Sequence, residues 1–292
     1  MLTIRCKNVR NRKNINNLSA RELTRFRDAM RKIQALPRSD NRSFEWIAAQ
    51  HGCDQQHCPH HRPGFLTWHR AYINALEMNL RAVDSTVTHP YWEWSSATAT
   101  GLPRAYTERS YTGGDGRRYA NPLLRYGYEC PVGSHGTTTR SPGGLAQLQQ
   151  LGAMARASLN STTFNTFQNS VENAHDGLHG WVGGSMGLIS FAAYDPIFYA
   201  HHANIDRLWA AWQARWGNST MPANELDLPL VPWPVRGKDV LSTKNQLCYW
   251  YVRGTVITRR LAMTAAVMKA LAKEGPRLLA MSFPASKVGE GF

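Results

Sequence analysis

Six histidines divide into two triplets, one in each half of the chain. The first triplet is His51, His60 and His69, and the second is His175, His179 and His202. Neutral imidazole is a good ligand for copper, iron, nickel and zinc. One triplet is compatible with zinc, but a second triplet without carboxylate or thiolate ligands argues against it. The pattern therefore favours two imidazole-only metal sites that face each other, which is the ligand set of a coupled dinuclear copper centre.

His175 and His179 are four residues apart, so both imidazoles project from one face of a helix. An apolar row runs beside that face and is expected to turn it inward: Phe167, Val171 and Leu178. Taken alone, such a pair is often an incidental surface or core feature. Its significance depends on the third histidine.

The following helix places that third histidine. Asp195-Pro196 is typical of a helix start, with Asp as the N-cap and Pro in the first turn. The apolar stripe of this helix contains Phe198, Ile205, Trp209, Trp212 and Trp216. His202 falls within the stripe, whereas His201 is turned away by about 100° and is predicted to flank the site. Asp206, one turn beyond, is predicted to orient a ligand imidazole, with a helix-surface carboxylate as the alternative.

The first triplet lies at helix ends and on a loop. His51 is predicted in the last turn of a helix, where a cation favoured by the helix dipole is the alternative role. His69 stands at the start of another helix. The segment before it contains proline and glycine, which places His60 and His61 on a loop, and spacing alone does not choose between them.

Three segments resemble the copper-binding motifs of type 3 copper proteins, which are the tyrosinases, catechol oxidases and molluscan-type haemocyanins. They are Cys58-x-His60-x8-His69-Arg, His175-x3-His179-x-Trp-Val-Gly-Gly-x-Met-Gly and Asp195-Pro-Ile-Phe-Tyr-Ala-His-His202. The resemblance extends from about residue 10 to residue 251. It implies two copper ions, CuA and CuB, with His60 rather than His61 and His202 rather than His201 as ligands. His51 completes the first site.

The resemblance also implies a fold and an activity. With the helical patterns above, we expect a mainly α protein, a four-helix bundle around the dinuclear site with long irregular loops and few short strands. The implied enzyme uses O2 as co-substrate to hydroxylate monophenols in the ortho position and to oxidise o-diphenols to o-quinones. Phenolic and o-diphenolic small molecules are then its partners. A copper-delivery helper protein is a further partner compatible with the family.

Three other functions compete with this interpretation. A catechol oxidase or o-aminophenol oxidase with little monophenolase activity is the main alternative. A haemocyanin-like oxygen carrier would use the same six ligands and differ in substrate access. A zinc hydrolase is disfavoured, because the sequence has no His-Glu-x-x-His and neither site has the usual carboxylate base.

Further residues gain roles from the resemblance. Monophenol chemistry must remove the proton of a phenol whose pKa is near 10, and tyrosinases are thought to use a water held by a glutamate and an asparagine. Glu172 and Asp176 are predicted to hold this water, and the aspartate leaves the strength of monophenolase activity open. Ile189 matches the gatekeeper position over copper A, with an ordinary core residue as the alternative. Gly180, directly after His179, also favours a roomy entrance.

Cys58 stands two residues before His60, where fungal tyrosinases and molluscan haemocyanins form a thioether to the histidine. The resemblance thus implies a Cys58–His60 crosslink. Tyr249-Trp-Tyr251 resembles the tyrosine motif that closes the catalytic domain, and its N-terminal arginine partner is assigned to Arg12.

Four other cysteines remain. Cys6 lies near the Arg12 segment and Cys248 directly precedes the tyrosine motif, so a Cys6–Cys248 disulfide is one expectation. Buried free thiols are the alternative expected of an intracellular chain. Cys53 and Cys130 receive no assigned pairing.

The net charge of +14 is concentrated at the two ends of the chain. Residues 1–45 hold 12 Lys and Arg against 4 Asp and Glu, and residues 253–292 hold 7 against 2. Nucleic-acid binding usually needs a focused basic face with motif support, which is absent, so no nucleic-acid partner is predicted. No run approaches the 18 apolar residues of a membrane span, so no membrane association is predicted. No signal peptide is visible, which leaves a cytoplasmic location, earlier removal of a leader, or export with a partner.

The chain is predicted to consist of a copper-binding catalytic domain, 1–251, and a basic C-terminal tail, 252–292, that forms a short helix. The first helix begins at a capping box, Ser19-x-x-Glu22. Residues 98–145 have little periodicity and are predicted to form a long surface loop region.

Overall fold

Helices dominate the computed structural model, which describes residues 6, 8–53, 55, 57–130 and 134–252. The mainly α fold predicted from the sequence is confirmed. The described residues belong to one compact unit that ends at Val252. The helix predicted for the tail lies outside the described residues.

The described residues contain eight α-helices in chain order: α1 (Ala20–Gln34), α2 (Phe44–Ala49), α3 (Phe65–Val83), α4 (Leu145–Ser158), α5 (Phe164–Val182), α6 (Ile189–Ala192), α7 (Ile197–Trp216) and α8 (Ala223–Leu226). Short 3-10 turns occupy Ile15–Asn17, Arg104–Tyr106, Gly184–Gly187 and Gly237–Val240. No helix among the described residues is both long and apolar enough to cross a bilayer.

Local chemistry explains where the helices begin. The predicted capping box of α1 is present, since the Ser19 hydroxyl accepts from the Glu22 backbone N–H and the Glu22 carboxylate accepts from that of Ser19. The Asp195 carboxylate accepts a hydrogen bond from the backbone N–H of Ile197 at 3.1 Å, which satisfies an unpaired donor at the start of α7. The Ser43 hydroxyl does the same for α2.

The core is built where α3 packs against α7 and α5, with α4 against the outer side of α5 and α1 against α3. Apolar side chains on facing stripes of these helices are fully buried, including Leu76 of α3, Phe167 and Val171 of α5, and Trp209 and Trp212 of α7. The four segments that carry the histidines are thereby held in one bundle.

Within the described ranges, six short strands form three two-stranded sheets. β1 (Arg10–Arg12) pairs in parallel with β6 (Tyr249–Tyr251), with Arg12 opposite Tyr251. Two antiparallel pairs follow α3 and precede α4 in the sequence. They are β2 (Ser110–Thr112) with β3 (Arg118–Ala120), and β4 (Gly127–Cys130) with β5 (Ser134–Thr137).

The prediction of a long surface loop over 98–145 is therefore wrong. The region contains two strand pairs, its Tyr106 and Leu123 side chains are fully buried, and Arg140 forms an ion pair with Asp195 at the start of α7. Strands of three or four residues are too short to show an alternating apolar pattern. The sequence of this region therefore gave little indication of its strands, although several of its side chains are buried.

Two disulfides join distant parts of the unit. Cys6 bonds to Cys248, as one of the two sequence expectations proposed, and Cys53 bonds to Cys130. The first connects the segment before β1 to the residue before β6. The second ties the residue two positions after His51 to the end of β4.

Candidate metal centre

The Nε2 atoms of the second triplet, His175, His179 and His202, lie close together. The Nε2–Nε2 distances are 3.0 Å for His175–His179, 3.1 Å for His175–His202 and 3.4 Å for His179–His202. The first two residues project from one face of α5, and the third comes from the first half of α7. The structure thus assembles the second triplet from two helices packed side by side.

The first triplet forms a nearly equilateral group. The ring centroids of His51, His60 and His69 are separated by 5.4 Å, 5.6 Å and 5.4 Å. His51 follows the end of α2, His60 lies on the loop before α3, and His69 belongs to the second turn of α3. The rings of His69 and His202 stack at 4.3 Å, so the two triplets face each other directly.

Hydrogen bonds fix the tautomers of several of these rings. Nδ1 of His69 donates to the carbonyl of Phe65 at 2.7 Å, and Nδ1 of His179 donates to the carbonyl of Met186 at 2.8 Å. Nδ1 of His175 donates to the carboxylate of Asp176 at 2.9 Å. Each proton held at Nδ1 leaves Nε2 as a lone pair directed into the site, as metal-binding histidines require.

Burial keeps the rings neutral. It lowers the pKa of His60 and of His179 to about 4 and that of His51, His69 and His202 well below the usual value. Protons therefore do not compete for the nitrogen lone pairs near neutral pH.

These features fit a bound metal ion. Three lone pairs about 3 Å apart repel one another, and Nε2 of His69 is buried without a hydrogen-bond partner in the described part of the chain. A cation at a metal–nitrogen distance of about 2.0–2.1 Å holds three imidazole nitrogens about 3.3–3.6 Å apart, close to the spacing of the second triplet. A donor set of imidazoles alone suits copper.

His61 does not join the first triplet. Its ring nitrogen Nε2 lies 3.0 Å from the carboxylate of Asp176, and its side chain is 64 % exposed. Its backbone φ of 52° lies in the left-handed region. This geometry agrees with the selection of His60 from the family motif.

His201 lies closer to the site than the helical spacing predicted. It is fully buried, its ring centroid is 4.9 Å from those of His175 and His179, and neither ring nitrogen has a hydrogen-bond partner among the described residues. The donor atoms of His175, His179, His201 and His202 all lie within 4.8 Å of one another. The turn of about 100° between His201 and His202 on α7 could not predict this position. It depends on α5, whose His175 and His179 rings pack against both histidines.

Asp206 is not placed as predicted. Its carboxylate accepts from Arg70 Nε at 2.5 Å and from the Tyr249 hydroxyl at 2.6 Å, with Arg12 at 3.4 Å and the Tyr251 hydroxyl also bonded. No hydrogen bond joins it to a histidine in the described part of the chain. The prediction that it orients a ligand imidazole is wrong, since three elements direct cationic and phenolic donors at it.

Arg12 meets the tyrosine motif as the family resemblance implies. Its Nη1 donates to the Tyr251 hydroxyl at 3.0 Å, and its guanidinium carbon lies 3.6 Å from the centre of the Tyr249 ring. Its Nε donates to Glu77 of α3 at 2.6 Å. This buried cluster fastens β1 and β6 to α3 and α7, behind the histidines.

Asp176 and Glu172 occupy the side of the site next to His61. Oε1 of Glu172 accepts from the His61 backbone N–H at 2.7 Å, whereas its buried Oε2 has no hydrogen-bond partner in the described residues. Burial raises the pKa of Glu172 to about 7. Asp176 is partly exposed and bridges His175 and His61.

Cys58 lies beside the first triplet. It is buried and outside both disulfides, and its donor atom lies within 4.8 Å of those of His51 and His60. Its thiol donates to the carbonyl of His51 at 2.8 Å, and burial raises its pKa to about 11. The thioether to His60 stays a prediction.

A cavity of about 310 Å³ opens onto both triplets. Its walls include four predicted ligands, His51, His60, His175 and His179, together with His61, Asp176, Gly180, Met186, Gly187, Ile189 and Ala192. This volume is at the lower end of the range of about 300–1,000 Å³ for small-molecule sites. The cavity thus has room for a ring-sized molecule next to the histidines.

Ile189 and Gly180 line this cavity, and their roles at its entrance stay predictions. Ile189 is 59 % exposed, so it is not an ordinary core residue. A Cβ built on Gly180 would meet no other described part of the chain within 4 Å, apart from its chain neighbours and the backbone of its own helix. Gly52 holds α6 close to the first triplet, because a Cβ there would be only 2.7 Å from the Ile189 carbonyl oxygen.

Comparison with known proteins identifies the family. Residues 41–215 match the model described as the common central domain of tyrosinase. The chain belongs to the tyrosinase family of type 3 copper proteins. Membership implies two copper ions at the two triplets, to which the histidine clusters of the structure are suited.

Relatives in this family include oxygen carriers and enzymes. The chain is 31% identical over 253 residues to haemocyanin units G and H of Sepia officinalis, covering 76% of this chain and 42% of that protein. It is 29% identical over 257 residues to a tyrosinase of Streptomyces antibioticus, covering 76% of this chain and 92% of that protein. It spans less than two thirds of the length of the haemocyanin chains it matches.

A functional unit of Octopus haemocyanin has a similar solved structure. The two superpose with a TM-score of 0.69 and 30% sequence identity, covering 84% of this chain and 68% of that one. Membership in the family thus agrees with the helical fold and implies copper as the metal. The choice between oxidase and carrier depends on what reaches the copper ions.

Proposed function

We propose that the protein is a dicopper polyphenol oxidase, a tyrosinase that converts monophenols and o-diphenols to o-quinones. The observation that carries this proposal is the cavity of about 310 Å³ whose wall is formed by ligand histidines of both triplets. A phenol ring that enters this cavity comes into direct contact with the metal site. Two bound copper ions would bind and activate O2.

The protein's own residues are proposed to bind and orient the phenol. Met186, Ile189 and Ala192 provide apolar wall for the ring, and Gly180 and Gly187 leave space for a ring substituent. The hydroxyl would then be directed toward the histidines, where the only other polar side chains of the wall are His61 and Asp176.

Glu172 and Asp176 are proposed to remove the phenolic proton through a water. Oε2 of Glu172 has no hydrogen-bond partner among the residues that the structure describes, and the raised pKa near 7 makes this carboxyl a base of matched strength at neutral pH. Asp176 lies in the cavity wall, accepts from Nδ1 of His175 and lies 3.0 Å from Nε2 of His61, so its part is to help hold the water. His61 fixes Glu172 through its backbone N–H.

The overall reactions balance without another reductant. A monophenol and one O2 give an o-quinone and one water, and two o-diphenols and one O2 give two o-quinones and two waters. The main alternative is a catechol oxidase or o-aminophenol oxidase. Asp176 in place of the asparagine of other tyrosinases is the observation that favours it.

An oxygen-uptake experiment separates these functions. Copper-loaded protein would be supplied in turn with tyramine, catechol and 2-aminophenol, with His202→Ala as the control that lacks one ligand. Uptake with all phenols supports tyrosinase, and uptake with only catechol or 2-aminophenol supports the alternative. Reversible O2 binding without quinone from any substrate would support an oxygen carrier. A copper content below two per chain, or one that His69→Ala and His202→Ala leave unchanged, would contradict the metal site.

A further inference from the structure

A second and larger cavity lies on the far side of α3 from the metal site. Its volume is about 1010 Å³, more than three times that of the cavity at the histidines. One wall is a continuous stripe of α3, formed by Ala71, Asn74, Ala75 and Met78. With about 100° per residue, this stripe faces roughly opposite to His69 on the same helix. α3 therefore separates two cavities.

The walls of this cavity are mainly apolar. Besides the α3 stripe, the apolar lining consists of Trp46 and Ile47 of α2, the segment Pro232–Val235 and Leu247. Trp233 is held firmly, since its ring centroid lies 5.4 Å from that of Trp68 and 5.8 Å from that of Tyr72. A fixed indole presents a flat apolar surface without first losing side-chain freedom.

The polar groups of the cavity are almost all neutral. They are the amides of Asn41, Asn74, Asn79, Asn245 and Gln246. Among the described residues that line the cavity, Asp239 is the only charged one, and its carboxylate already accepts from the Arg236 backbone N–H at 2.8 Å. No Lys or Arg is among these described lining residues; Arg10, which bonds Asn74 and the Leu247 carbonyl from behind the wall, is already paired with Glu77. A charged ligand would therefore lose its hydration here without gaining an unpaired ionic partner among them.

Several hydrogen-bonding groups remain available to a neutral ligand. The indole N–H groups of Trp46 and Trp233 and the side-chain amides of Asn41 and Asn245 make no hydrogen bond within the part of the chain that the structure describes. Large apolar walls with a few such polar groups are typical of small-molecule sites, and the volume is at the upper end of their range of about 300–1,000 Å³.

We propose that this cavity is a second ligand site that takes an uncharged molecule of several fused or linked aromatic rings. The rings would lie between Trp233 and the α3 stripe, and carbonyl or ether oxygens of the ligand would accept from the indole and amide N–H groups. The proposal does not depend on the oxidase function, because the site contains none of the predicted copper ligands.

Calorimetric titration with flavone tests this site directly. Flavone is uncharged, has linked aromatic rings and one carbonyl, and lacks a phenolic hydroxyl, so turnover does not interfere. We expect saturable binding of flavone by the full chain, both metal-free and copper-loaded. A flavone carboxylate should bind at least about tenfold more weakly, because its charge is desolvated without a partner.

Two exposed methionines on helices provide a matched pair of variants. Met78 lies in the cavity wall and is 41% exposed, whereas Met154 of α4 lies elsewhere and is 42% exposed. Met78→Lys should weaken flavone binding by about tenfold or more, since it places a charge beside the ligand, and Met154→Lys should leave it unchanged. Ala75→Phe, which fills the cavity, should also weaken binding.

Three results would overturn the proposal: no binding of flavone, equal binding of its carboxylate, or equal effects of Met78→Lys and Met154→Lys. Binding that responds to Ile189→Phe instead would assign flavone to the copper cavity and would also contradict it. Circular dichroism spectra matching the parent protein establish that each variant is folded. Oxygen uptake with catechol is measured separately, so a failure of this site is distinguishable from a failure of the oxidase function.

Discussion

The carboxylate of Asp176 accepts a hydrogen bond from Nδ1 of His175 at 2.9 Å. Its other oxygen lies 3.0 Å from Nε2 of His61. The residue predicted to hold a catalytic water therefore also bonds a predicted copper ligand. A carboxylate in this position keeps the proton of His175 on Nδ1 and makes Nε2 a stronger donor to the metal.

Replacing Asp176 with alanine should weaken copper binding. Loss of such a partner of a metal-binding histidine typically lowers metal affinity about 10–100-fold, and Asp176→Asn should have a smaller effect because the amide oxygen still accepts. Competition with a chelator measures the affinity. Asp227→Ala, which removes an exposed carboxylate paired only with surface groups, is the control. Equal affinity in Asp176→Ala and Asp227→Ala would show that Asp176 does not support the ligand.

The ratio of monophenol to diphenol oxidation should depend on Glu172 and on pH. Burial raises the pKa of Glu172 to about 7, so the carboxyl is mostly protonated below that pH and ionised above it. Because a base acts in its ionised form, the ratio should rise as the pH increases through 7. Glu172→Gln should lower the ratio by about 10²–10⁴-fold and abolish this rise. Initial rates with tyramine and catechol between pH 5.5 and 8.5 give the ratio, and an unchanged ratio in the variant would exclude Glu172 as the base.

Much of the site could be predicted because helical spacing and the family motif agree. His175 and His179 are fixed by a four-residue interval on α5, and the stripe of α7 places His202 beside them. Ser19 and Glu22 form the expected capping box, which depends only on residues three apart. These predictions needed no knowledge of distant contacts.

The remaining features depend on contacts between segments far apart in the sequence. Asp206 lies one turn from His202, yet Arg70 of α3 and Tyr249 of β6 determine where its carboxylate points. His201 lies beside the site because α5 packs against α7 and places His175 and His179 next to its ring. The pairing of Cys53 with Cys130 depends on a strand too short to be recognised from its pattern. One helix considered alone carries no information on these partners.

Asp206→Asn should destabilise the fold without removing copper. Although burial opposes ionisation, Arg70 and Arg12 lower the pKa of Asp206. The neutral amide would leave the buried Arg70 guanidinium without the carboxylate of its ion pair, whereas Arg12 would keep Glu77. Breaking such a buried pair costs about 3–5 kcal/mol. Urea unfolding measures the loss, and metal analysis of the folded variant should still find two coppers per chain. A variant of unchanged stability that loses copper would instead restore the role predicted from the sequence.

The same ion pairs should make the protein less stable in acid. A carboxylate whose pKa is lowered by folding stabilises the folded state above its unfolded pKa, and that contribution is lost as the pH falls through the folded pKa. Asp206 and Glu77 are both lowered in this way. Melting temperatures of the metal-free protein should therefore fall below about pH 4, and less steeply in Asp206→Asn. Parallel curves for the two proteins would contradict this account.

Alkylation of the unfolded chain should distinguish the five cysteines. Without reductant, two disulfides leave only Cys58 to react in metal-free protein, and after reduction all five react. In copper-loaded protein, a Cys58–His60 thioether would remove that last reactive thiol and two hydrogen atoms from the intact mass. Cys6→Ser is expected to cost about 2–5 kcal/mol of stability. Reaction of more than one cysteine without reductant would contradict the pairing, and reactive Cys58 in the copper-loaded protein would exclude the crosslink.

Ile189→Phe should narrow the entrance to the copper cavity. Ile189 and Leu188 are neighbours with exposed fractions of 59% and 56%, but only Ile189 lines the cavity. The larger ring at position 189 should raise KM for a bulky catechol such as 4-tert-butylcatechol by about tenfold. A change of one methylene group in an apolar pocket alters substrate discrimination by a similar factor. Catechol itself should be affected less, because it needs less of the cavity. Leu188→Phe adds the same side chain outside the wall and should change neither KM. If both variants shift KM equally, the entrance lies elsewhere and Ile189 is not its gatekeeper.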